Sequence, residues 1–113
     1  MVNGVFLEDE IELETALDLV RSGKSVFVWI GGWTNTPLAE LLELDEKNVV
    51  AVEPYELLDS DRYPKELLKY DRPVFVCHHG ISSYELVKAL GAMGVKGYSL
   101  AGGIEGIKQR GQR

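Results

Sequence analysis

Two short runs of β-branched and aromatic residues constrain this chain most. Ser25-Val26-Phe27-Val28-Trp29-Ile30 and Val74-Phe75-Val76-Cys77 show no polar alternation, and each leads into a glycine-containing loop and then a helical pattern. A strand with one face in water alternates apolar and polar residues, whereas an uninterrupted apolar strand must be covered on both faces, as in a parallel sheet. Parallel neighbours in turn require helical crossovers. The chain is therefore expected to fold as an α/β domain with a mainly parallel central sheet and helices on both faces.

The segments around the two runs fit that expectation. From Asp9, residues Leu13, Ala16, Leu17 and Val20 repeat at helical spacing, with Asp9 and Glu12 spaced as a capping box and Gly23 as the stop. A short strand near Val5 to Leu7 is expected before it. Thr36 and Pro37 precede Leu38, Leu41 and Leu42, which predicts a second helix with Thr36 as its cap. Asn48 to Val52 reads as a strand, and Pro64 to Tyr70 as one or two helical turns with Leu67 and Leu68 facing inward. After Cys77 a helix is expected from about Ser83 to Met93, with Leu86, Val87, Leu90 and Met93 on one face. Tyr98 to Leu100 follows as the last strand, and Gly102-Gly103 opens a short helix ending near Ile107. No repeat or linker-like stretch divides the 113 residues, so one domain is expected, with residues 108–113 as a flexible tail.

Composition narrows the function. A net charge of −6, with basic residues clustered only between Lys108 and Arg113, argues against nucleic acid or an anionic membrane as partner. No apolar run reaches membrane-spanning length, and Met1 to Asp9 lacks the features of a signal peptide, so a cytoplasmic setting is expected. Cys77 is the one cysteine, which excludes an internal disulfide, a Cys-pair metal site and a Cys-X-X-Cys motif. No metal or other cofactor is expected, and any chemistry at sulfur uses a lone thiol.

Cys77 stands at the carboxyl end of a strand, where open α/β sheets bind ligands, and the loop after it meets a helix N-terminus. Loop N–H groups turned inward there would bind an anion and favour thiolate over thiol. On position alone, Cys77 serves equally well as a small core hydrophobe.

The segment Val74-Phe75-Val76-Cys77-His78-His79-Gly80-Ile81-Ser82-Ser83 resembles the active-site segment of rhodanese-like sulfurtransferases, in which a strand delivers cysteine to a six-residue loop with glycine fourth. Gly94 to Ile107, with Leu100-Ala101-Gly102-Gly103, is similar to that family's closing strand and its Leu-X-Gly-Gly signature. The resemblance is close over Pro73 to Ile107 and covers the first half only in its order of elements. It implies a rhodanese-like three-layer domain in which Cys77 takes sulfane sulfur as a persulfide. His78, His79, Gly80, Ile81, Ser82 and Ser83 then form the substrate- or anion-binding loop.

The chain also departs from the family pattern. Thiosulfate-using members commonly carry arginine at the sixth loop position, here Ser82, so a dianionic donor loses its guanidinium partner. The strand Val26 to Ile30 lacks the charged residues that commonly end it, no Gly-His-Ile precedes the third strand, and Ile107 stands where tryptophan is common. Ser82-Ser83-Tyr84-Glu85 has capping-box spacing, which makes Ser82 a helix cap and brings Glu85 near the loop, where its charge would damp the acidity of Cys77. His78 and His79 either contact a bound sulfur or are solvated loop residues, and adjacent side chains on a tight loop do not converge on a metal. Trp29 reads as core, and Trp33 as a possible pocket wall over Cys77.

The expected function is a sulfurtransferase or sulfur carrier whose donor and acceptor are small molecules or protein thiols, a persulfide donor being favoured over thiosulfate. With no second cysteine, transfer is intermolecular. The alternative is a catalytically inactive rhodanese-like binding module. A cysteine phosphatase or arsenate reductase is disfavoured, because the loop is one residue short of the usual phosphatase pattern and neither Ser82 nor Ser83 is an arginine. Oligomeric state is not legible in the sequence.

Overall fold

The computed structural model describes residues 9–30, 36–59 and 61–111. In chain order they form β1 (Glu10–Ile11), α1 (Leu13–Arg21), β2 (Phe27–Ile30), α2 (Thr36–Leu42), β3 (Val49–Val52), α3 (Pro54–Leu58), β4 (Val74–Val76), α4 (Ile81–Ala92), β5 (Tyr98–Leu100) and α5 (Gly103–Gly111). Single 3-10 turns at Glu46–Asn48 and Lys65–Lys69 precede β3 and β4. No helix among the described residues is long and apolar enough to cross a membrane.

All five strands are parallel and lie in the order β1-β5-β4-β2-β3. In register, Phe27 faces both Val49 and Val74, and Trp29 faces both Ala51 and Val76. The side-chain period of two then sorts the apolar runs onto two faces. Phe27, Trp29, Val49, Val74, Val76 and Leu100 pack with Ala16 and Val20 of α1, Leu38 and Leu42 of α2, and Ile104 and Ile107 of α5. Val26, Val28, Ile30, Val52 and Phe75 pack on the other face with Leu57 of α3, Leu67, and Leu86, Val87 and Leu90 of α4. The uninterrupted runs are thus explained: Val26 to Ile30 and Val74 to Val76 each enter one core or the other, a gain of about 1.5–3 kcal/mol for each large side chain buried.

Connections running along the sheet in opposite directions lie on opposite faces, as right-handed crossovers require. The connections from β1 to β2 and from β2 to β3 place α1 and α2 on one face. Those from β3 to β4 and from β4 to β5 place α3 and α4 on the other. The direction reverses between β2 and β4, so the chain leaves their carboxyl ends toward opposite faces. A crevice is expected at that point, and Cys77 is the first residue beyond β4.

At the amino end of the sheet Arg72 ties three segments together. Its Nη2 donates to Asp9 Oδ1 at 3.1 Å and to the Gly97 carbonyl at 2.8 Å, and its guanidinium lies 3.8 Å above the Tyr98 ring. Lys88 of α4 adds a 3.2 Å bond to Asp9 Oδ2.

Several local expectations are corrected. Asp9 does not cap α1; Glu12 holds the N-cap position without a side-chain hydrogen bond, because the Asp9 carboxylate is engaged by Arg72 and Lys88. Leu67 is buried, but Leu68 is 67% exposed, since a single 3-10 turn can direct only one of two consecutive residues inward. Met93 is half exposed as the C-cap of α4, beyond the buried face that ends at Leu90. The last helix does not end near Ile107 but runs from Gly103 to Gly111. The strand expected at Val5 to Leu7 lies outside the described residues, and the first strand within them, β1, covers Glu10–Ile11.

Candidate functional site

The loop after β4 turns because its carbonyls are held from outside. The Ile104 N–H donates to the Cys77 carbonyl at 2.8 Å and the Glu105 N–H to the His78 carbonyl at 2.9 Å. These donors belong to the first turn of α5, whose N–H groups have no partner within their own helix. The approach requires glycine at two places. A Cβ on Gly103 (φ +58°) would collide with the Cys77 and His78 carbonyls, and one on Gly80 (φ +90°) would stand 2.9 Å from the Gly102 nitrogen. The Gly-Gly pair is therefore the surface on which the cysteine loop rests.

With its carbonyls turned toward α5, the loop presents N–H groups to the sulfur. Cys77 Sγ lies 3.1 Å from the Gly80 nitrogen and 3.2 Å from the Ser83 nitrogen. Ser83 Oγ stands 3.2 Å from the sulfur, accepting from the thiol or donating to the thiolate. Cys77 itself is 5% exposed. Burial pushes its thiol up, but the Ser83 hydroxyl and the N–H groups of Ser83, Gly80 and His79 outweigh burial and hold it below the ordinary thiol range.

This geometry overturns the reading of Ser82 as a helix cap. α4 begins at Ile81 with Gly80, in the left-handed conformation, as its N-cap, and no side chain of the N-cap residue bonds there. Ser82 sits exposed in the first turn. Ser83 is the third helical residue, the position whose N–H a capping side chain normally satisfies, and Cys77 Sγ accepts it. The sulfur does the capping, and the helix N-terminus in turn favours negative charge on the sulfur. Glu85 is exposed and is not among the groups acting on Cys77, so the damping expected from it is not found.

The other candidate residues fall around this centre. The His78 side chain is exposed and packs edge-on against Trp29, with centroids 5.3 Å apart, and the exposed His79 ring stands 6.5 Å from that of His78. Trp29 is a core residue, as expected. Ile81 is 68% exposed beside the loop. Trp33 lies outside the described residues. Sequence reasoning missed Ser99, whose Oγ stands 2.7 Å from Ser83 Oγ inside the protein. The available signal was a hydroxyl in the middle of a short strand.

No family model and no curated protein matches the chain. Among solved structures it is similar to a rhodanese-related protein from Thermoplasma volcanium. The match has a TM-score of 0.58 and 22% sequence identity, and covers 90% of this chain and 92% of that one. Together with the five-stranded parallel sheet and its two helical layers, this likeness identifies the architecture: the chain has a rhodanese-like fold.

Proposed function

We propose that the protein is a sulfurtransferase or sulfur carrier in which Cys77 holds the transferred sulfur. The observation that carries this reading is the convergence of the Gly80 N–H, the Ser83 N–H and the Ser83 hydroxyl on one buried sulfur. A group so placed favours a charged sulfur, which is the attacking form in thiol exchange and the leaving form when the sulfur is passed on.

In the first step the Cys77 thiolate attacks the outer sulfur of a persulfide donor. A new S–S bond forms at Cys77, the donor's own S–S bond breaks, and its electron pair departs on the donor thiolate. In the second, an external thiolate or other nucleophile attacks the terminal sulfur, and the Cys77 thiolate leaves. No oxidant or reductant is consumed, and no second cysteine is required. Ser82 offers no fixed cation for a sulfonate, so a low-molecular-weight or protein persulfide suits the loop better than thiosulfate.

Intact-mass measurement after incubation with glutathione persulfide tests the reading. The wild type is expected to gain one sulfur atom that cyanide or a thiol removes, and Cys77→Ser is expected to gain none. Absence of added sulfur on the wild type with persulfide and thiosulfate alike would leave only a binding role for the loop.

A further inference from the structure

Ser83 is backed by a second hydroxyl. Ser83 of α4 and Ser99 of β5 are each 0% exposed, their Oγ atoms are 2.7 Å apart, and Ser99 Oγ lies 3.5 Å from the Gly80 carbonyl. Cys77, Ser83, Ser99 and the Gly80 carbonyl thus form a continuous chain from the sulfur around to the left-handed residue of its own loop. Buried hydroxyls must find partners, and these two find each other and the sulfur.

The chain has two self-consistent proton arrangements. With a thiol, S–H donates to Ser83 Oγ, Ser83 O–H to Ser99 Oγ, and Ser99 O–H to the Gly80 carbonyl. On ionisation the sulfur's proton leaves to solvent at the loop mouth, and its electron pair stays on sulfur. Ser83 O–H then turns to donate to the sulfur, and Ser99 O–H turns to donate to Ser83 Oγ. Only the S–H bond breaks. Ser99 gives up only the long contact at 3.5 Å, while the 2.7 Å bond between the two hydroxyls, at the short end of the hydroxyl range, is kept with its direction reversed. A Ser83 oxygen that accepts from Ser99 is also a better donor to sulfur, because consecutive hydrogen bonds polarise one another.

We propose that Ser99 is a positioning residue of the sulfur site: acting through Ser83, its hydroxyl selects the direction in which Ser83 donates and so sets how readily Cys77 ionises. The inference deepens the sulfur-carrier reading, but its test uses the resting thiol with no donor present, so the two fail separately. Other titratable side chains around the loop leave the chain of hydroxyls as the variable: His78, His79 and Glu85 are exposed, Glu105 is half-buried, and none of these side chains is among the groups acting on Cys77.

The experiment is a pH titration of thiolate ultraviolet absorbance in the wild type, Ser83→Ala, Ser99→Ala and the double variant. Ser83→Ala is expected to raise the Cys77 pKa by about one unit and Ser99→Ala by roughly half as much. The double variant is expected to match Ser83→Ala, because Ser99 acts through the hydroxyl already removed. Ser99→Thr keeps the hydroxyl and is expected to retain the wild-type value. Ser99→Val has nearly the same shape without the hydroxyl, is expected to behave as Ser99→Ala, and replaces it should the alanine variant not fold. A wild-type pKa in Ser99→Ala or Ser99→Val, or a double variant whose shift equals the sum of the single shifts, would overturn the proposal.

Discussion

At the scale of single residues, the protein uses sulfur where most helices use oxygen. Cys77 fills the capping role at α4, so the stability of the helix and the charge of the thiol are one quantity seen from two sides. Because the folded state holds the thiol below its ordinary range, the unfolded chain binds more protons in the interval between the folded and unfolded values. Stability contributed by Cys77 is therefore fully present above the unfolded value and is lost as pH falls through the folded one. Urea midpoints of the wild type and Cys77→Ser, compared across that interval, should diverge in favour of the wild type as pH rises and then run parallel. A difference independent of pH would contradict the sign. This role was hidden in the sequence, where Ser82 and Glu85 have the familiar spacing of a capping box. The competing acceptor arrives from an upstream residue by way of a left-handed glycine, and no local pattern encodes that.

At the scale of elements, the cysteine loop and α5 are two halves of one turn. The first N–H groups of α5 have the Cys77 and His78 carbonyls as acceptors, and the loop has α5 to keep its carbonyls outside. Gly103 makes that contact possible, and a side chain there meets the Cys77 carbonyl and adopts φ +58°. Gly103→Ala is expected to cost about 2 kcal/mol or more and to return the Cys77 thiol toward ordinary reactivity. Urea unfolding and the pH profile of iodoacetamide alkylation read the two effects. Gly23→Ala, with nothing within 4 Å of the added carbon although φ is +83°, is expected to leave the alkylation profile unchanged. The sequence showed the Gly-Gly pair and its partner loop as separate motifs. That they touch follows only once β5 is paired beside β4.

At the scale of the whole molecule, the apolar runs made the sheet legible, since a strand buried on both faces admits few architectures. Tyr98 to Leu100 was found at its observed bounds, and α1, α2 and α4 to within a few residues. Contacts between distant segments were not legible. Asp9 looked like a local cap because its partner Arg72 lies 63 positions away, and Ser99 carried no visible role because the facing of a three-residue strand is set by its neighbours. The Asp9–Arg72–Tyr98 cluster holds the two-residue β1 against the sheet edge, so Arg72→Ala is expected to lower stability by about 2 kcal/mol. Lys88→Ala, which removes the outer and more exposed partner, should cost under about 1 kcal/mol. Equal losses in the two variants, measured by chemical denaturation, would place the support elsewhere. The docking of α5 on the cysteine loop also bears on how the protein is made. Synthesis runs from Cys77 toward Gly103, so the thiol emerges from the ribosome before the helix that turns its loop. A nascent chain thus carries a cysteine of ordinary acidity, and its thiol drops below the ordinary range only when α5 has been translated and folded back onto the loop.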